Sequence, residues 1–298
     1  MDLRYLKSFY ILSQELNFTR AAEKLGYTQA NVTLQIQSLE EEVHTQLFNR
    51  IGKNITLTET GKKLVPIVAK MINLEESIVH IEDDEGSGTI RIGVCDSLCI
   101  NRVPKIICKF KEQYPNVTFT LDILKCSEFY SKLTQNQLDL AFTIGYLKKE
   151  EHIYYSAEME EKIAVLASPN HPLTKKNSLT AKDFSGIPLI LAEKAAYYRI
   201  NFERDLLINN ITPMIIIETE SIQAIKKLTE NGLGISIMPE VAVQEELKNG
   251  ALSVLNYSCN YDIYSHIIWH KDKQLSACQK SFISFAEKQI MNEKRTRD

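Results

Sequence analysis

Apolar residues recur along this chain in three rhythms, and the changes of rhythm divide it. In the first stretch the spacing is helical. Val32, Ile36, Leu39 and Val43 step by four, three and four, which draws one stripe along an amphipathic helix. Upstream, Leu6, Phe9, Tyr10, Ile11 and Leu12 supply the core-facing surface of a helix over 3–16, and Ala21, Ala22 and Leu25 that of a second. Asn17 or Thr19 can cap the second helix, Gly26 ends it as a left-handed turn residue, and Thr28 is placed to cap the third. A small hairpin closes this region near residue 58.

The next rhythm is a heptad. Leu64, Ile67, Met71, Leu74, Ile78 and Ile81 step by three, four, three, four and three, which predicts one long helix over about 59–83. Pro66 falls in an early turn and is a candidate kink. A helix with one narrow stripe needs something to cover it, either a second copy or its own chain. It runs into Glu82-Asp83-Asp84-Glu85-Gly86-Ser87-Gly88, an acidic Gly/Ser stretch with linker composition.

From Thr89 onward, short strand-like runs alternate with amphipathic helices, the pattern of an α/β domain. The predicted strands are 90–94, 118–124, 138–144, 163–167, 189–192, 214–218, 235–238 and 266–269; the predicted helices are 103–113, 129–135, 198–209, 221–231 and 275–291. No solenoid-period repeat is present.

Composition adds exclusions. The 298 residues are 44% hydrophobic and 24% charged, ordinary for a globular protein of two or three folding units. No apolar run is long enough to span a bilayer, and Met1-Asp2-Leu3-Arg4 lacks a signal-peptide layout, so a cytoplasmic location is expected. A net charge of -3 does not announce a nucleic-acid binder, but a local basic patch can sit on an acidic chain. The six cysteines form no CxxC pair and the six histidines no metal spacing; no P-loop, GxGxxG or G-x-S-x-G is present. No metal, cofactor or enzymatic activity is expected.

The third helix carries the candidate chemistry. Opposite its apolar stripe lie Ala30, Leu34 and Gln37, flanked by Asn31, Thr33 and Ser38, with Gln29 and Thr28 at the N-terminal end. Amides can bond adenine edges and small apolar groups can meet thymine methyls in a major groove. A polar, solvated face on any helical bundle would read the same way.

The segment from Phe18 to Ile36 (FTRAAEKLGYTQANVTLQI) is similar to the helix-turn-helix of LysR-type transcriptional regulators. Leu39-Glu40-Glu41-Glu42-Val43, Leu47-Phe48-Asn49-Arg50 and Leu57-Thr58-Glu59-Thr60-Gly61 follow in family order and spacing. The resemblance implies that Gln29, Ala30, Thr33 and Leu34 approach bases, that Arg50 and Lys53 lie on a wing near phosphates or the minor groove, and that Arg20 contacts the backbone. Leu34 departs from a family position that is often basic or polar, which puts a base-edge hydrogen bond there in doubt. The Glu40-Glu41-Glu42 run reads as a solvated or partner-facing surface.

Further on, Ile90-Arg91-Ile92-Gly93-Val94, Phe110–Val117, Leu138-Asp139-Leu140-Ala141, His171-Pro172-Leu173 and Gly232–Pro239 resemble the family's effector-binding domain. The implied organisation is α/β. It comprises a winged helix-turn-helix head (1–58), a linker helix and hinge (59–88), and a two-lobed effector domain like periplasmic binding proteins (89–298). Lobe I would hold about 89–164 and 266–291, lobe II about 165–265. The implied partners are double-stranded DNA with a near-palindromic operator, a small-molecule effector, and further copies of the chain: a homodimer through 59–83 and a homotetramer.

In such a fold ligands sit between lobes, at strand C-termini and helix N-termini. The candidate effector residues are Ser97, Leu98, Cys99, Cys126, Ser127, Tyr198, Arg199, Glu220 and Ser221. The three serines are equally readable as helix caps. Arg199, at a helix start where cations are disfavoured, needs an anionic partner: a ligand carboxylate or Glu193, Glu203 or Glu220. The set suits a small anionic or amino-acid-like effector. A thiol-based redox signal through Cys99 and Cys126 is an alternative; a transport binding protein or an enzyme is a remoter one.

Overall fold

In the computed structural model, residues 2–51, 54–79, 85–146 and 150–297 are described. Lys53 and Ile81 lie outside them. The chain divides into two units, residues 1–83 with the short segments 132–137 and 272–276, and residues 84–131, 138–271 and 277–298.

The first unit begins with helices α1 (Leu3–Glu15), α2 (Phe18–Leu25) and α3 (Gln29–Glu42). The caps follow local chemistry. Asn17 accepts the amides of Thr19 (2.9 Å) and Arg20 (3.2 Å), and Thr28 accepts the amide of Asn31 (3.2 Å). Gly26 ends α2 at φ 68°, a left-handed conformation that a Cβ would strain. Val32, Ile36 and Leu39 are fully buried against Leu6, Phe9 and Leu12. At about 1.5–3 kcal/mol for each large apolar side chain, this stripe is what fixes α3 on the head. Strands β1 (Phe48–Ile51) and β2 (Asn54–Leu57) pair antiparallel as the wing.

Helix α4 (Glu59–Val79) does not present the predicted single seam. Val65, Val68 and Ala69 are buried, and Leu64 and Met71 pack on the head's own core. Ile67, Leu74 and Ile78 stay 55%, 51% and 67% exposed, so the stripe is shared between two faces.

Among the described residues, the second unit's strands form a five-stranded sheet and a three-stranded sheet to which a two-stranded pair is bridged. The first contains β3 (Ser87–Val94), β4 (Asn116–Ile123), β5 (Leu140–Gly145), β6 (Ile153–Glu160) and β12 (Tyr264–His270), in the order β4-β3-β5-β12-β6. Strands β4 and β5 flank β3 in parallel, whereas β12 runs antiparallel to β5 and β6. Helices α5 (Asp96–Cys99), α6 (Arg102–Gln113) and α11 (Ala277–Arg297) complete this layer, and α7 (Phe129–Thr134) starts within this unit. Phe282 of α11 meets Phe110 at 5.1 Å and Phe119 at 5.0 Å between ring centroids, which seals α6 and α11 onto the sheet.

The other sheet is built on β7 (Ile163–Ala167), flanked by β10 (Ser236–Pro239) and β11 (Ser253–Val254). Strands β8 (Pro188–Leu191) and β9 (Met214–Glu218) pair in parallel, and a Leu189–Ile235 bridge joins β8 to the β10 side. Helices α8 (Tyr197–Ile208) and α9 (Ile222–Glu230) cover it, and α10 (Gln244–Asn249) joins α9 through the Lys226–Glu246 pair at 2.6 Å. The chain crosses between sheets twice, and the crossings touch: the Glu161 amide donates to the Ile263 carbonyl at 2.9 Å. Buried Arg102 holds this junction, paired with Glu161 and donating to Ser265 Oγ (2.8 Å) and Glu293 (2.9 Å).

Candidate DNA-reading surface and effector cleft

On α3 the core-facing stripe leaves the opposite side outward. Gln29, Ala30, Asn31 and Gln37 are exposed, Leu34 is 63% exposed, and Thr33 is half-buried with its hydroxyl donating to the Gln29 carbonyl (2.9 Å). Gln35 is buried with Ser8, to which it is hydrogen-bonded. Arg20 on α2 and Arg50 on β1 are exposed, and the Arg50 guanidinium lies 4.9 Å from the Phe18 ring centroid.

Glu40 departs from the solvated reading of the acidic run. Its side chain is 15% exposed, and one carboxylate oxygen accepts the amides of Leu47 (2.7 Å) and Phe48 (3.2 Å). Glu41 and Glu42 are exposed. The first residue of the run therefore braces the start of the wing.

In the second unit a cleft of about 130 Å³ opens between the two sheets. From the first sheet it is lined by Cys95, Asp96 and Ser97 after β3, by Leu124, Lys125, Cys126 and Glu128 after β4, and by Ile144 at the end of β5. From the second it is lined by Ala192, Glu193, Ala196, Tyr197 and Tyr198 around the start of α8, and by Glu220 and Ile222 at the start of α9. Gly145 ends β5 beside this wall because a Cβ there would meet the Tyr197 ring at 2.9 Å.

Polar ties cross the cleft. Asp96 Oδ2 accepts the Ile222 amide at 2.8 Å, Glu193 Oε1 accepts the Cys126 amide at 3.3 Å, and Lys125 pairs with Glu220 at 2.6 Å. Tyr198 and Ser97 are both buried. Burial pushes the Tyr198 phenol up, so it is a neutral group at physiological pH.

Of the candidate effector residues, Ser97, Cys126, Tyr198 and Glu220 line the cleft together. Leu98, Cys99 and Ser127 are not among its lining residues: Leu98 is core, Cys99 half-buried and Ser127 exposed. Ser221 caps α9, accepting the Ala224 amide at 3.2 Å, and lines a shallow depression with Glu218 and Thr219.

Arg199 requires a correction. Its side chain is 2% exposed and its guanidinium is already engaged with Glu203 (2.7 Å), Glu218 (2.8 Å) and the Ala192 carbonyl, so its anionic partners are the protein's own. The thiols also differ from a redox reading. Burial and then Glu193 push Cys126 up to about 12, and burial and then Asp96 raise Cys99. A reactive thiol needs the opposite shift.

Sequence reasoning missed Ile144 as a lining residue, although it was legible as the end of a buried strand.

Residues 3–62 match the family model for the bacterial regulatory helix-turn-helix protein, lysR family, and residues 83–290 match that for the LysR substrate binding domain. The chain belongs to the LysR family of transcriptional regulators.

The comparison with relatives is end to end. This regulator is 35% identical to a Bacillus subtilis (strain 168) protein named "Uncharacterized HTH-type transcriptional regulator YwqM", over 97% of this chain and 99% of that one. Full-length OxyR from Pseudomonas aeruginosa, in a cysteine-to-aspartate variant, superposes with a TM-score of 0.77 at 21% identity, covering 97% of this chain and 94% of that one. The effector binding domain of QuiR in complex with shikimate superposes with a TM-score of 0.59 at 22% identity, covering 69% of this chain and 98% of that one. At these identities the structural likenesses show the fold alone.

The protein is thus a LysR-type transcriptional regulator with a helix-turn-helix DNA-binding domain and an effector-binding domain. No helix among the described residues is long and apolar enough to cross a membrane.

Proposed function

We propose that this regulator reads a near-palindromic operator through α3 and its wing, as a homo-oligomer, in response to a small amino-acid-like carboxylate bound between the lobes. The observation that carries the reading is the outward face of α3. Gln29, Ala30, Asn31, Leu34 and Gln37 are exposed along it, with Thr33 beside them and Thr28 at the cap. Amides, hydroxyls and a methyl-bearing side chain can read base edges, while Arg20 and Arg50 (and Lys53, outside the described residues) supply phosphate contacts. The protein acts in the cytoplasm by binding, without turnover.

The functional division is 1–58 for the head, 59–88 for the linker and hinge, and 89–298 for the effector domain. Dimerisation uses the exposed Ile67, Leu74 and Ile78 of α4. A second contact that makes a tetramer uses apolar sheet edges: Leu121 and Ile123 of β4 are 42% and 61% exposed, and Met214, Ile215 and Ile216 of β9 are 48%, 39% and 39% exposed. The effector contacts are Ser97, Cys126, Tyr198 and Glu220, with backbone amides at the starts of α8 and α9 taking a carboxylate and Glu193 or Glu220 an amino group.

Capture of genomic fragments by the purified protein tests this reading. Enriched fragments should share an interrupted inverted repeat, protected in a footprint by more than one copy. Enrichment without a common motif would overturn it.

A further inference from the structure

Among the described residues of the head, two polar side chains are buried: Ser8 of α1 at 0% exposure and Gln35 of α3 at 8%. They are bonded to each other, the Ser8 hydroxyl donating to the Gln35 side-chain carbonyl. The core on which α1 and α3 pack is otherwise apolar, with Leu6, Phe9, Leu12, Val32, Ile36 and Leu39 at its centre. Replacing both members of such a pair by apolar groups of similar shape is close to neutral for stability, and sometimes favourable. Stability alone therefore gives little reason for a hydrogen bond here. What it adds is direction, which apolar contact lacks.

That direction acts on α3. Apolar attraction through Val32, Ile36 and Leu39 holds the helix down but opposes rolling about its own axis only weakly. At about 100° per residue, Gln35 lies on the flank of the stripe, between buried Ile36 and exposed Leu34. A tie on the flank opposes rolling with the helix radius as its lever. Helix α1 serves as the frame, since Lys7, beside Ser8, pairs with Glu75 of α4 at 2.7 Å. A helix is roughly 10–12 Å across, so a roll of about 20° carries a side-chain end by about 2 Å. A hydrogen bond to a base edge does not survive that displacement. We propose that Ser8 and Gln35 are a positioning pair: their hydrogen bond fixes the rotation of α3, and with it which bases Gln29, Thr33 and Leu34 reach. This rests on reading the outward face of α3 as the base-reading surface.

Selection by the full-length protein from a pool of randomised DNA duplexes supplies the probe. Affinity is then measured for the selected duplex and for the unselected pool at fixed salt, with chemical denaturation alongside. Ser8→Ala/Gln35→Met replaces the pair by apolar side chains of similar shape and should unfold at or above the wild-type midpoint. Its ratio of selected to unselected affinity should nevertheless fall about tenfold, with affinity for the unselected pool unchanged. Ile36→Val is the control for a loosened core: it removes one carbon from the same helix and lowers the midpoint with the pair intact. Its ratio should stay at the wild-type value.

A wild-type ratio in the double variant would reduce the pair to a core hydrogen bond and overturn the proposal. So would an equal fall in Ile36→Val, because any loosening of the core would then suffice. If the double variant does not fold, Ser8→Ala decides: it removes the donor without adding volume, and must lower the ratio where Ile36→Val does not. Gln29→Ala separates the pair from the base-reading surface on which it rests. A lowered ratio in Gln29→Ala with an unchanged one in the double variant removes the positioning pair alone. A wild-type protein that selects no common sequence, or an unchanged ratio in Gln29→Ala, removes the base-reading surface and the pair with it.

Discussion

Glu40 ties α3 to the wing by accepting the Leu47 backbone amide at 2.7 Å. The carboxylate also takes the Phe48 amide at 3.2 Å and lies 3.9 Å from Arg50. Glu40→Ala leaves two backbone donors without their acceptor and should cost about 1–3 kcal/mol of head stability. Glu40→Gln, which keeps an acceptor oxygen, should cost less. Chemical denaturation checks this, and equal stability of Glu40→Ala and wild type would show that water replaces the carboxylate.

Arg199 should behave as a structural residue. Arg199→Ala strands Glu203 and Glu218 and opens a hole at the start of α8. Both carboxylates keep partial access to water, so the cost should lie near the lower end for a broken buried pair, about 3 kcal/mol. Thermal unfolding without ligand reads it. An unchanged midpoint would return Arg199 to the list of effector contacts.

The exposed stripe of α4 predicts an assembly defect. Leu74→Glu places a charge beside Ile67 and Ile78, on a face whose burial by a second copy would contribute about 1.5–3 kcal/mol per side chain. Sedimentation velocity should show a smaller species with unchanged secondary structure. The same sedimentation coefficient for wild type and variant would place the dimer contact elsewhere.

The extent to which these sites were legible varied with the range of the interaction. The α3 stripe was readable because Val32, Ile36 and Leu39 meet a core within 40 residues of sequence, and their buried face defines the outward one. The heptad on α4 was misleading in part. Val65, Val68 and Ala69 make a second apolar face, and spacing alone does not say which face the head covers. Strand β6 escaped detection because its alternation is broken: Ala157 has φ 53°, and the register with β12 shifts between Ser265 and Ile267. At Arg199 the Glu203 partner was visible at helical spacing, whereas Glu218 comes alongside through the pairing of β8 with β9. The Asp96–Ile222 tie spans 126 residues and carries no local signal.

Stability should fall in mild acid. Burial lowers the pKa of His266, and of the less enclosed His171, below the usual 6.5. The unfolded chain therefore takes up these protons first as the pH drops. The stabilisation is complete above the unfolded pKa, declines as pH falls below about 6.5, and is lost once the folded pKa is passed. Each group contributes at most about 1.4 kcal/mol per pH unit within that window. His266→Phe should flatten the dependence of the unfolding midpoint over this range. Parallel curves for variant and wild type would assign the acid sensitivity to other groups.

Sequence reading by the outward face of α3 stands or falls with Gln29→Ala in a binding titration. The intact protein is titrated against an operator fragment enriched in the genomic capture and against random DNA of equal length, at fixed salt. Gln29→Ala should lose about 1–3 kcal/mol on the operator and little on random DNA, so that the ratio of the two affinities falls. An equal loss on both DNAs, or none on either, would show that this face does not read sequence.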